Sequence, residues 1–294
     1  MPARPRPGIV GPVDPRCPLL PVFLVLAAAG CGARTGLFVA GGDAGGALPP
    51  IHVQPPVSSG CADAGSTVIY VVSEQDSLLS FDPPTATFTR IGTLDCPVAS
   101  GSFAPFSMAV DRAGIAYVLD ANAEIVRVST ASAACETTSF AGGGTFGMGY
   151  STNQADGGEV LFVASDEATP RLATLDTTTF ALSVIGPLDP PIVRPELTGT
   201  GGGDLFAFYG TKTGSAIAQI DTSTAQSIGQ ATLPGVYQNR SYAFAVWGGD
   251  FYTFTGDPAG TVVTRFRPTD GSIVRVAQIG DVIVGAGVST CAPE

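Results

Sequence analysis

One pattern returns five times at nearly constant spacing. LATLDTTTFALSVIG (172–186) and IAQIDTSTAQSIG (217–229) share an order of apolar residues, an Asp, a Thr/Ser cluster and Ile-Gly. LLSFDPPTATFTRIG (78–92), IVRVSTASAACETTSF (125–140) and VTRFRPTDGSIVRVAQIG (263–280) follow the same order, with Ser129 and Arg267 in the Asp place and without the Ile-Gly in 125–140. The equivalent positions are 82, 129, 176, 221 and 267, so the steps are 47, 47, 45 and 46 residues. What precedes each copy also repeats. VIYVVSEQDS, IAYVLDANAE, VLFVASDEAT, LFAFYGTKTG and FYTFTGDPAG each read as an aromatic, β-branched strand running into a turn. Before these stand FSMAVDRAG, FGMGYSTNQADGG, PELTGTGGG and YAFAVWGGD, which are small-residue strands ending in turn residues.

Each unit is therefore four short strands, and four-stranded units of 40–50 residues are the signature of a β-propeller. The pattern predicts an all-β chain with five blades over residues 68–290. Small residues suit the inner strand, where blades crowd the axis, and bulky ones fill the wedges between blades. The first unit lacks an inner strand, because CADAGSTVIYVV begins at the second. A spare one, DVIVGAGVST (281–290), follows the fifth outer strand. The C-terminal strand is thus expected to complete blade one and remove an open sheet edge. A β-sandwich or a β-helix is the alternative architecture. An Asp followed by Thr or Ser suits a hairpin, since its side chain accepts backbone N–H bonds two or three residues on. The repeated Asp is read as a turn residue, because Arg267 can replace it.

The N-terminus reads as an address. Arg4, Arg6 and Arg16 precede an apolar run from Leu19 to Ala29, which at about 1.5 Å per residue is too short to span a bilayer. Residues 1–30 are read as a signal peptide. Ala28, Ala29 and Gly30 followed by Cys31 resemble the lipobox of bacterial lipoproteins, in which the Cys is lipidated and becomes the new N-terminus. The resemblance implies a membrane anchor at Cys31. Gly32 in the following place, rather than Asp, points to the outer membrane of a bacterial envelope. Residues 31–60 are rich in Gly, Ala and Pro and are read as a flexible tether to a propeller domain at 61–294. The tether holds the only histidine, His52, which leaves no partner for a Ser-His-Asp triad or an HExxH zinc site.

Of six Cys, Cys17 leaves with the signal peptide and Cys31 is assigned to lipid. Cys61, Cys96, Cys135 and Cys291 remain, an even number in an exported chain, with three possible connectivities. None has the CxxC spacing of a zinc or redox site. Cys61 and Cys291 bracket the domain, and pairing them would tie its ends together where blade one closes. That preferred connectivity leaves Cys96 with Cys135; the other two remain open.

The order of aromatic strand, turn, L-x-x-I-D-x-x-T and outer strand resembles the repeat of bacterial exported propellers of the NHL and quinoprotein-like type. The segment from CPVASGSF through Phe140, followed by FGMGY, resembles a recurrent stretch of propeller lipoproteins. In such a stretch Cys96 and Cys135 would be paired. The resemblance implies fold and export, and no activity, since propellers host many functions.

The formal net charge is −11; loss of Arg4, Arg6, Arg16 and Asp14 with residues 1–30 makes it −13. Such an acidic surface repels phosphate backbones, so nucleic acid is not expected as a partner. The loops from outer strand to next inner strand share a face with those from second to third strand. They bring Arg194, Lys212, Tyr237, Asn239 and Arg240 to one side, and this side is the candidate binding face. The inner strands offer Ser107, Met108, Gly147, Met148, Thr198 and Phe244, with no cluster of carboxylates. Neither a metal nor a cofactor is expected. The leading expectation is a non-catalytic propeller, anchored by lipid, that binds an envelope protein or glycan or serves as a scaffold. The alternative is a propeller hydrolase or lactonase with an unrecognised metal site.

Overall fold

Alternation of apolar and polar residues in short runs, punctuated by Gly, Pro, Asp and Asn, produces twenty strands and no helix among the described residues. The computed structural model describes residues 48–54, 61, 68–140 and 142–294. The signal peptide, Cys31 and most of the expected tether lie outside them.

Blade one begins with β1 (Ile69–Ser73), β2 (Ser77–Asp82) and β3 (Thr87–Thr93). Blade two is β4 (Pro105–Val110), β5 (Ile115–Asp120), β6 (Ile125–Ser129) and β7 (Cys135–Thr137). Blade three is β8 (Phe146–Thr152), β9 (Glu159–Ser165), β10 (Arg171–Leu175) and β11 (Leu182–Pro187). Blade four is β12 (Glu196–Gly199), β13 (Leu205–Thr211), β14 (Gly214–Ile220) and β15 (Ser227–Pro234). Blade five is β16 (Ser241–Trp247), β17 (Asp250–Asp257), β18 (Gly260–Arg267) and β19 (Ser272–Ile279). The chain then returns as β20 (Ile283–Gly287), which pairs with β1 in the register Tyr70↔Gly287, Val71↔Ala286 and Val72↔Gly285. The result is a five-bladed β-propeller of four-stranded antiparallel blades, closed by its last strand.

The inner strands β20, β4, β8, β12 and β16 touch one another in ring order. Their approach explains the small residues there. A Cβ on Gly147 would lie 2.1 Å from the Pro195 carbonyl oxygen of the next blade, and one on Gly199 would lie 2.4 Å from that of Tyr150. Between the blades sit four apolar clusters of described residues. The largest joins blades four, five and one through Phe206, Phe208, Phe244, Phe251, Phe254 and Phe81.

The repeated motif has a defined local geometry. Asp176 accepts from the Thr178 and Thr179 amides at 2.8 and 2.7 Å. Asp221 does the same with Ser223 and Thr224 at 2.8 and 2.9 Å, and Asp82 accepts from the Thr85 hydroxyl. Four residues after each repeat position the backbone turns left-handed, at Ala86, Ala133, Phe180, Ala225 and Gly271, with φ between 53° and 70°. The Ile of Ile-Gly marks a bulge in the outer strand. Leu78 faces Gly92 and Leu79 faces Arg90, so Ile91 is skipped; Ile185 and Ile228 are skipped likewise. A bulge adds twist, which a wedge-shaped blade needs. In blade five the skipped residue is Val276 and not Ile279, so the last Ile-Gly of the pattern is a coincidence of sequence.

Two disulfides are present among the described residues, Cys61–Cys291 and Cys96–Cys135, with Cα–Cα distances of 5.4 and 5.1 Å. The first spans 230 residues and joins the two ends of the ring where blade one closes. Beyond it, the Gly248 amide donates to the Pro293 carbonyl at 2.7 Å, and the Glu294 side chain accepts from the Gly201 and Gly202 amides. The C-terminal segment thus crosses one end of the axis. Residues 48–54, assigned to the flexible tether from composition, are packed on blade four. Ile51 is buried in the largest cluster, and the Gln54 amide donates to Asp204 at 2.6 Å. One well-placed Ile and one hydrogen-bonding Gln suffice to dock an otherwise Gly/Ala/Pro-rich segment.

Disulfide removal distinguishes the two links. In the chain-entropy view, replacing Cys61 and Cys291 by Ser should cost about 1–2 kcal/mol more than replacing Cys96 and Cys135, because the longer loop is released. Denaturant unfolding of the two double variants measures this; equal losses would contradict the role of the first link in closing the ring.

Candidate axial binding site

All five inner strands run in the same sense, so their first residues meet at one mouth of the axis. This is the face of the outer-to-inner loops, the loop face. The opposite face carries the C-terminal segment and residue 54. At the loop-face mouth, residues from four blades line a cleft of about 90 Å³: Pro105, Phe106, Arg194, Glu196, Arg240, Ser241, Tyr242 and Val284. The chain reaches it through the non-repeating segments 188–195 and 235–240, which join blade three to four and blade four to five.

Glu196 opens the inner strand of blade four and is only 5% exposed. Ser107 of blade two donates its hydroxyl to Glu196 Oε2 at 2.9 Å across the axis. Burial pushes the Glu196 carboxyl well above the usual carboxylate range; the Ser107 bond opposes this and the Asp166 charge adds to it. Tyr242 donates its hydroxyl to the Arg194 carbonyl at 2.9 Å and so pins the loop to blade five. Burial, and then the Glu196 charge, raise its phenol pKa.

The rim holds two ion pairs between blades. Arg194 Nε lies 3.3 Å from Asp166 Oδ1, and Arg240 pairs with Glu74. Both guanidiniums are open to solvent, at 60% and 51% exposed. Pairs this exposed contribute about 0–1 kcal/mol. Their geometry therefore permits exchange for charges on a partner at little cost.

Of the five residues expected on this face, the structure brings Arg194 and Arg240 together at the mouth. Tyr237, 51% exposed, and Asn239 line a separate shallow cleft of about 250 Å³ beside blade five. Lys212 sits exposed in the β13–β14 turn and lines neither cleft. Glu196, Tyr242, Asp166 and Glu74 were not expected from sequence. A signal for Glu196 exists: it is the one acid within the inner strands. Among the described residues, no three His, Cys, Asp or Glu side chains are grouped so as to hold a metal ion.

A carboxyl whose pKa is raised by folding favours the native state while protonated, so its contribution is lost as pH rises through and above the unfolded carboxylate range. Glu196→Gln keeps the hydrogen-bonding shape without the charge. It should flatten the fall in stability between mildly acid and alkaline pH, by about 1.4 kcal/mol for each pH unit of the shift. Urea titrations of both proteins across pH check this, and parallel pH profiles would contradict it.

No protein-family profile and no curated protein sequence matches the chain. Among solved structures, similarity is found to a chain of the nidogen/laminin complex, at 13% identity and a TM-score of 0.46, covering 77% of this chain and 82% of that one. A second match is TolB from Acinetobacter baumannii, at 14% identity and a TM-score of 0.47, covering 74% of this chain. The aligned part spans 54% of the TolB chain. At such identities the likeness is one of fold.

Proposed function

We propose that this protein is a non-catalytic β-propeller, anchored by lipid at Cys31 in a bacterial cell envelope, that binds a protein partner through its loop face. The observation that carries this reading is the axial mouth. Its two guanidiniums, Arg194 and Arg240, come from segments that break the repeat, and Tyr242 joins them from the start of β16, whereas the repeated Asp residues accept hydrogen bonds within turns. The rim pairs are weak and solvent-facing, as suits groups that trade partners on docking. The described part of the entering chain, residues 48–54, leaves this face uncovered.

A non-catalytic role is supported by the chemistry of the axis. The hydroxyl nearest to a carboxylate there, Ser107, is fully buried and donates its proton to Glu196, which is itself only 5% exposed, so neither group is open to a substrate. The lipid anchor rests on the Ala-Ala-Gly-Cys sequence at 28–31, and the outer membrane on Gly32.

A photo-crosslinking residue placed at 237 or 240 of the full-length protein in intact cells should give discrete protein adducts, and one at 270 on the opposite face should give none. Arg194→Glu with Arg240→Glu should reduce capture about tenfold or more. Cys31→Ser should release the protein from the membrane fraction. Adducts from 270 alone, or capture unchanged by the charge reversals, would overturn the reading; capture of polysaccharide in place of protein would reassign the face to a glycan.

A further inference from the structure

The seam between blades three and four is packed unlike its neighbours. Aromatic pairs bridge blades two and three (Tyr117–Tyr150, 5.9 Å), four and five (Phe206–Phe251, 4.8 Å) and five and one (Phe81–Phe254, 5.6 Å). The cluster between blades three and four is instead rich in small side chains, with Ala164, Ala207, Ala218 and Ala225 among its buried members. This seam opens on the face opposite the axial mouth as a cleft of about 620 Å³. That volume lies within the range of small-molecule sites.

The lining selects the ligand chemistry. Four carboxamides, Gln54, Asn153, Gln154 and Gln219, and two carboxylates, Asp204 and Asp221, face a cleft with no Lys, Arg or His in its wall. Asp204 is 5% exposed and organises the group. It accepts from the Gln54 side chain at 3.1 Å and from Gln219 Nε2 at 3.0 Å, and Gln154 Nε2 donates to the Gly202 carbonyl at 2.8 Å. The amides are thus oriented before a ligand arrives, which lowers the ordering cost of binding. Phe162 and Ile228, the latter 46% exposed, supply apolar wall.

We propose that this cleft binds a neutral saccharide. A sugar hydroxyl donates and accepts at once, and a carboxamide wall answers both roles, while carboxylates accept only. The C–H face of a sugar ring suits the apolar patch. A phosphate or uronate would meet two carboxylates and no cation, which disfavours it. The site is independent of the loop face, so either assignment can fail alone.

Saturation-transfer NMR on the full-length protein in a detergent without a sugar headgroup tests this, with N-acetylglucosamine, cellobiose and glucuronic acid as probes. At least one neutral sugar should bind in the millimolar range or better, with glucuronic acid weaker. Gln154→Ala and Thr222→Ala, the latter removing a hydroxyl that also lines the cleft, each with an unchanged melting curve, should weaken that binding about three- to tenfold per lost hydrogen bond. Arg240→Glu should leave it unchanged. The proposal is overturned if neither neutral sugar binds, if glucuronic acid binds as well as the better of them, or if the two Ala variants bind like the parent.

Discussion

The pairing of β20 with β1 is the interaction on which the rest of this structure depends. Five wedge-shaped blades can share a core only as a ring, and the ring is complete only when residues 283–287 return to residues 70–73. The contact joins segments more than two hundred residues apart, so its loop-closure entropy is among the largest in the chain. Three features offset it. Ile283 and Ala286 are buried in the cluster that also holds Phe81 and Phe254. Cys291 is bonded to Cys61. Arg112 in blade two donates to Thr290 at 2.8 Å, and Thr290 in turn donates to Glu159 of blade three at 2.6 Å, so the returning segment is held from two further blades.

The repeat and most of the candidate ligand-binding groups occupy different parts of the molecule for a physical reason. The left-handed residue recurs in all five units, and the Asp turn and the Ile bulge in three of them, because the blades need a common hairpin and a common twist. A feature that every blade needs cannot distinguish one blade from another. Most of the groups able to select a ligand lie where the repeat is interrupted, in the loops before β12 and β16 and along the alanine-rich seam between blades three and four; Asp221 of the blade-four turn is the exception. Asymmetry in a near-symmetric ring thus marks the candidate sites.

The blade count, the closing strand and both disulfides were legible in the sequence, because they follow from a period near 46 residues and from where Cys61 and Cys291 fall within it. Loop order alone placed Arg194 and Arg240 on the loop face, where the structure has them. Their separation from Lys212, Tyr237 and Asn239 was not legible, since loop order gives a face and not a radius from the axis. Glu196 escaped because a single acid at the start of PELTGTGGG does not show which residue begins β12 at the axis. The cleft between blades three and four depends on Ala164, Ala207 and Ala218 facing one another across a seam, and no local pattern records which strands oppose. The docking of Ile51 and Gln54 was hidden by the surrounding Gly, Ala and Pro.

Hydrogen exchange on the intact, oxidised protein tests the central claim most directly. If ring closure holds the fold together, the amides of Val71 and Ala286 should exchange only by global unfolding, at the rate of the best-protected amides of β8 and β17. Exchange of β20 as a fraying terminus, with blades two to five still protected, would show that the ring stands without its closing strand and would contradict the account.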